Sequence, residues 1–193
     1  DPMARLGKSG FRVLPIPVDA AGRIELNVLE RVVTDRTALV SVMAANNEIG
    51  VLQPIKEVAA IAHRHGAWFH TDAVQAAGRV PFNVDELDVD LATISAHKIY
   101  GPKGIGALYV RRKRVAIEAQ IDGGGHERGL RSGTLNVPAI VGFGRAAEIA
   151  RAEMESEAKR VGVLRDRLLA GLQSRINRIT VNGAMDQRLP GNL

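Results

Sequence analysis

Cysteine is missing from all 193 residues, which excludes a disulfide framework, a thiolate zinc site and a thiol nucleophile carried by this chain itself. Aromatic residues make up only 4%, too few for the stacking platforms that bind single-stranded nucleic acid. No apolar run approaches the roughly 18 residues of a membrane span, and no charged-then-apolar leader opens the sequence. A soluble, cytoplasmic protein with no membrane partner is expected. Internal repeats and low-complexity linkers are absent as well. At 46% hydrophobic the chain can still bury a sizeable core, and one main domain is the natural expectation.

The formal charge of +5 and the cluster Arg111-Arg112-Lys113-Arg114 raise nucleic acid as a partner. The cluster directly follows an apolar strand pattern, Ile105 to Val110, where a solvated strand end is the ordinary reading, so no nucleic-acid partner is expected; an acidic protein is the alternative occupant. His63 and His65 are two apart, the wrong spacing for a shared helical metal face, and a histidine near a helix C-terminus is favoured by the dipole alone. No metal site is expected.

Strand and helix patterns alternate along the chain. Arg12 to Val18 reads as an edge strand because its prolines cannot donate to a central ladder. A helix is predicted near Leu26 to Val33, then strand 37–43, helix 54–65 opened by Pro54, and strands 67–70, 91–95 and 105–110. Residues 123–136 form a glycine-rich loop, and Pro138 opens a helical stretch to about Ser174, with Glu155 and Lys159 four apart in the favourable order. The fold class is α/β, with a mainly parallel sheet and flanking helices.

Polar residues fall where these strands end. Lys98 follows the strand Asp90 to Ser95 and precedes Gly101-Pro102-Lys103-Gly104, a turn that permits close backbone approach. In open α/β sheets ligands bind at the carboxyl edge, where a desolvated lysine can attack an aldehyde. Asp72 ends the strand before it, and a carboxylate there suits a ring nitrogen that must stay protonated, as in pyridoxal phosphate chemistry. Gln75 follows three positions later, and Asn46-Asn47 closes the strand before that. An amide, an acid and a lysine delivered to one edge by successive strands form a constellation.

The runs Asn47 to Gly50, His70 to Gln75, Ser95 to Lys98, Lys103 to Val110 and Gly123 to Thr134 resemble the cysteine desulfurases, which are pyridoxal phosphate enzymes of the class V aminotransferase group. The last run is similar to the branch that supplies sulfur for iron–sulfur cluster assembly. The resemblance implies pyridoxal phosphate fold type I, with a large cofactor domain over residues 1–174 and the start of a smaller domain over 175–193. It makes Lys98 the Schiff-base lysine, Asp72 the partner of the pyridine nitrogen, Gln75 a hydrogen bond to the ring hydroxyl, and Asn47 a contact of that hydroxyl or of substrate. Ser95 and His97 would hold the phosphate, with Thr134 reaching in from the other subunit of a homodimer. Lys98 and His97 are the candidate catalytic residues.

The implied substrate is L-cysteine and the implied partner an iron–sulfur scaffold or other sulfur-acceptor protein. The family's attacking cysteine has no counterpart here. The phosphate-gripping turn and ring-stacking histidine would precede Asp1, and the cysteine loop and carboxylate-binding arginine would follow Leu193. An internal piece of a longer enzyme is therefore expected, inactive by itself. Selenocysteine lyase, aminotransferase and a non-catalytic binding fragment remain open alternatives.

Overall fold

Apolar residues recur at Ile55, Val58, Ala59, Ile61 and Ala62, a spacing that puts them on one face of a helix. In the computed structural model, which describes residues 2–193, that face is buried. The helices are α1 (Pro2–Lys8), α2 (Leu26–Val32), α3 (Ile55–Arg64) and α4 (Val137–Gln173), and the strands are β1 (Leu39–Met43), β2 (Trp68–Asp72), β3 (Leu91–Ser95) and β4 (Gly106–Val110). The sheet order is β1-β2-β3-β4, with the first three strands parallel and β4 antiparallel to β3. This mixed, mostly parallel sheet matches the α/β expectation.

Strand alternation divides the sheet into two faces. Val40, Phe69 and Ala92 join Val58, Ala59 and Ala62 of α3 and Leu29 of α2 in one core. Phe69 is wholly buried, and its burial stabilises the fold by about 2–3 kcal/mol. On the opposite face lie Ser41, His70 and Asp72, together with Leu39 and Leu108, which are 37% and 47% exposed. One face carries most of the packing; the other is only partly covered, with Leu91 buried on it.

The segment Arg12 to Val18 is not a strand. Pro15 and Pro17 remove ladder donors, and only an isolated bridge, Val18 to Ile24, forms there. α4 begins one residue before Pro138, with Asn136 Oδ1 accepting from Ala139 N at 3.3 Å as its cap. The Lys159–Glu155 pair forms at 2.7 Å on its exposed side. The loop that precedes α4 contains a short 3-10 turn, Glu127–Gly129. Beyond α4 the chain returns to the body: Leu52 N donates to Gln187 O, Leu189 N to Gly50 O, and Leu189 is buried in the core.

The basic cluster is not simply a solvated strand end. Arg111 turns inward to Asp85 Oδ1 (2.8 Å) and to the carbonyls of Val84 and Val89. Arg114 donates to Asp90 Oδ1 (2.8 Å) and Asp88 Oδ1 (3.0 Å). Asp90 is fully buried, and its Oδ2 accepts from Phe69 N at 2.8 Å and faces His63 Nε2 at 2.7 Å. His63, at the end of α3, thus serves this cluster, and no metal-ligating group of three or more acidic or histidine side chains occurs among the described residues. At Asp88, desolvation acts upward but is outweighed by the hydrogen bond and charge of Arg114 and by His63, which hold the carboxyl below its ordinary value.

Removing Arg114 leaves part of a buried charge unmatched. Loss of a wholly buried partner costs about 3–5 kcal/mol; because Arg114 is 40% exposed, Arg114→Ala is expected to lose about 2 kcal/mol, read by denaturant unfolding. Arg112→Ala, at an exposed neighbour, should stay within about 0.5 kcal/mol. Equal stabilities of the two variants would show that the cluster does not hold the sheet.

Candidate active site at the strand exits

Because β1, β2 and β3 are parallel neighbours, their C-terminal ends meet at one edge. The adjoining turns are tied across it: Ala44 N donates to Asp72 O (2.8 Å) and Ala73 N to Thr93 O (3.0 Å). The exit of β1 carries Asn46 and Asn47, whose roles diverge. Asn46 Oδ1 accepts from Glu48 N and Ile49 N, both at 2.9 Å, and so builds the turn. Asn47 is left to line a cavity of about 380 Å³.

Gln75 and Lys98 line the same cavity, with Arg79, Glu153 of α4 and Asn192 among its other walls. Lys98 does not project directly from β3. A 3-10 turn, Ala96–Ile99, follows the strand, and it closes when Tyr100 N and Gly101 N both donate to Ala96 O. Tyr100 adopts φ 64° to make this cap and leaves its side chain 94% exposed. A non-glycine residue in that region carries a local cost of about 1–3 kcal/mol, a form of strain that clusters at functional sites. The half-buried Lys98 forms no ion pair among the described residues.

Asp72, the last residue of β2, faces Thr93 across the sheet and shares the open face with Ser95. Its Oδ1 accepts from Val74 N at 2.9 Å; Oδ2 has no hydrogen-bond donor among the described residues. Ser95 Oγ and His97 Nδ1 share a hydrogen bond of 2.8 Å, with His97 exposed. The structure therefore brings Asn47, Gln75 and Lys98 into one cavity and sets Asp72, Ser95 and His97 along the adjoining edge. It does not bring Thr134 to them: that residue lies exposed on the loop before α4.

His70 and Arg79 are the residues that the sequence reading passed over. His70 stands two positions before Asp72, on the same face by strand alternation, and its Nδ1 shares a 2.8 Å hydrogen bond with Ser41 Oγ. Burial pushes its imidazole below the ordinary value, against an opposing pull from the Asp72 charge. The alternation itself was the signal that could have found it.

A family model described as aminotransferase class-V matches residues 2–192. The chain belongs to the class-V aminotransferase family. It is 56% identical over its full length to a protein named cysteine desulfurase IscS from Anaeromyxobacter sp., of which it covers 48%. A protein of the same name from Rickettsia typhi is 52% identical over 97% of this chain and 46% of the relative. Among solved structures, a NifS-like protein superimposes with TM-score 0.92 at 46% identity, covering 97% of this chain and 51% of that one. A structure titled SspA in complex with cysteine matches at TM-score 0.73 and 41% identity, over 76% of this chain and 43% of the other. The chain spans about half the length of the curated relatives it matches. These neighbours share pyridoxal phosphate fold type I.

The lowered His70 value fixes the sign of a pH effect. A folded-state value below the unfolded one, about 6.5, makes the unfolded chain bind more protons as pH falls. The contribution to stability is present above that pH and is lost on acidification. Between pH 7.5 and 5.5 the native protein should therefore lose more melting temperature than His70→Gln. Equal losses would mean that His70 is not held neutral by its surroundings.

Proposed function

We propose that this chain is the cofactor-binding part of a pyridoxal phosphate-dependent cysteine desulfurase, which removes sulfur from L-cysteine to give alanine and passes it on for iron–sulfur cluster assembly. The observation that carries the reading is the meeting of Asn47, Gln75 and Lys98 in one cavity, beside Asp72, at the exits of three parallel strands. The named relatives support the activity, and the SspA structure with cysteine supports that substrate over an aminotransferase reading. The proposed domain boundary, 174/175, lies just after α4, and Leu189 beyond it packs back into the main core.

The donor set fits the cofactor. Lys98 has an amine with no protein partner among the described residues, and Asp72 keeps one carboxylate oxygen free of protein donors; the cavity of about 380 Å³ is lined by Asn47, Gln75 and Lys98, while Asp72, Ser95 and His97 lie outside its lining. When bound, pyridoxal phosphate supplies an aldehyde for amines and a ring that accepts electron density from the substrate. Lys98 would provide the amine that holds the cofactor and, with that amine free, a base for moving protons near the substrate carbon. Asp72 would keep a proton on the ring nitrogen. Gln75 would donate to the ring hydroxyl, Asn47 would orient that group or the substrate, and Ser95 and His97 would hold the phosphate.

The thiol that accepts sulfur is supplied from outside these 193 residues, so the chain alone is proposed to transfer no sulfur. The parent protein is proposed to be a cytoplasmic homodimer that hands sulfur to a scaffold or other acceptor protein. No helix among the described residues is long and apolar enough to cross a membrane.

Borohydride reduction of the cofactor-loaded parent protein, followed by peptide mapping, should place the pyridoxyl group on Lys98. A label on Lys103 instead would overturn the assignment. The exposed Thr134 loop motivates a test of the shared site. After refolding together, inactive Lys98→Ala and impaired Thr134→Ala subunits should recover about a quarter of native activity, because half of a random mixture is mixed dimer and each mixed dimer keeps one intact site. With subunit exchange verified, a mixture no more active than its parents would place Thr134 in its own subunit's site.

A further inference from the structure

Lys98 sits on a single 3-10 turn of four residues, closed where Tyr100 N and Gly101 N donate to Ala96 O. The turn is short and followed by the strained cap at Tyr100, and the Lys98 side chain has no hydrogen-bond partner among the described residues, so contacts from outside the turn bear on its position. Two adjacent residues of another segment supply such contacts. Arg79 Nη2 donates to Lys98 O at 3.0 Å, across nineteen residues of sequence. Beside it, Gly78 at φ 74° lies so close to the turn that an added Cβ would sit 2.8 Å from Ile99 Cγ2 and 3.0 Å from Ala150 Cβ of α4. No side chain fits there without moving Ile99 or the helix.

Arg79 is half-buried, lines the cavity with Lys98, and forms no ion pair among the described residues. Its own backbone is fixed, since Arg79 N donates to Ala76 O at 3.0 Å. The segment that holds it begins at Asp72 and includes Gln75. A guanidinium bonded to the Lys98 carbonyl therefore couples the segment carrying the acid and the amide to the turn carrying the amine. A charge-assisted bond of this kind is stronger and more directional than a neutral one.

We propose that Arg79 is a positioning residue: through the Lys98 carbonyl it fixes the lysine amine relative to Gln75 and Asn47. This rests on the cofactor reading given above and adds to it a residue that acts through Lys98 rather than on the reacting atoms.

The test uses the parent protein loaded with pyridoxal phosphate, with Arg79→Met, Arg79→Lys and the surface control Arg112→Met. Three quantities are measured: the rate of cofactor release, the visible circular dichroism per bound cofactor, and the melting temperature without cofactor. Arg79→Met should release cofactor about tenfold faster and show weaker visible dichroism per bound cofactor. Arg79→Lys, which keeps a charged donor, should recover part of both, and Arg112→Met should match the native protein. Should Arg79→Met fail to fold, Arg79→Lys and Arg79→Gln decide, with Gln expected to be the worse of the two.

Native release and dichroism in the Arg79 variants would overturn the inference, as would a lowered melting temperature with both signals unchanged, which is the signature of a merely structural residue. A native protein that takes up no cofactor would overturn the reading of the site and this inference with it. A loaded native protein with indifferent Arg79 variants would overturn only the inference.

Discussion

The buried carboxylate of Asp90 is the constraint on which the arrangement of the sheet depends. It lies at the entrance of β3, takes a hydrogen bond from the backbone of β2 at Phe69, pairs with Arg114 just beyond β4, and faces His63 at the end of α3. Its backbone continues the same links, with Asp90 N donating to Phe69 O and Arg111 N to Asp90 O. A slip of one residue would turn every side chain to the other face of the sheet. A buried charge with partners on three elements makes that slip costly, because a shifted strand would leave the carboxylate unmatched in a dry interior. The same register that satisfies Asp90 delivers Lys98 to the far edge.

At that far edge the chain is fixed by close packing rather than by charge. α4 buries only Ala139 and Ala146 along its length, yet it lies against the turn that carries Lys98. Gly142, Ala146 and Ala150, each one helical turn apart, explain how. A Cβ on Gly142 would meet Pro102 Cγ at 2.7 Å, and one on Gly101 would meet Ala146 Cβ at 3.1 Å. Small residues on the helix and glycines on the facing turns let two backbones approach within side-chain contact, where a leucine on either side would push the helix away. The position of Lys98 is thus set jointly by a turn, a helix and the segment that follows β2.

Much of this was legible in the sequence because it follows from periodicity. Alternation and the 3.6 spacing gave α2, α3, α4 and the four strands to within a residue or two, and strand ends gave the locations of Asn47, Asp72 and Lys98. The misses have physical causes. Arg12 to Val18 carries the composition of a strand, but its prolines remove the donors that would have made it one. Arg111 and Arg114 read as solvent-facing because charge usage along a strand end says nothing about acids brought there by a distant loop. Arg79 was invisible for the same reason: its partner is a backbone carbonyl, and carbonyls leave no trace in composition. Contacts made through a main-chain atom nineteen residues away are settled by the turn, not by residue type.

The two edges of the sheet therefore hold polar groups on opposite terms. At the entrance edge, His63, Asp85, Asp88, Asp90, Arg111 and Arg114 satisfy one another, and their effect is to hold the register. At the exit edge, the Lys98 amine and Asp72 Oδ2 have no protein partner among the described residues, Tyr100 is strained, and the imidazole of His70 is kept below its ordinary value. Groups left unsatisfied in a partly dry site cost stability unless a ligand meets them, and that imbalance concentrates where chemistry occurs. The surplus of pairing at one edge is what lets the other remain incomplete without loss of the fold.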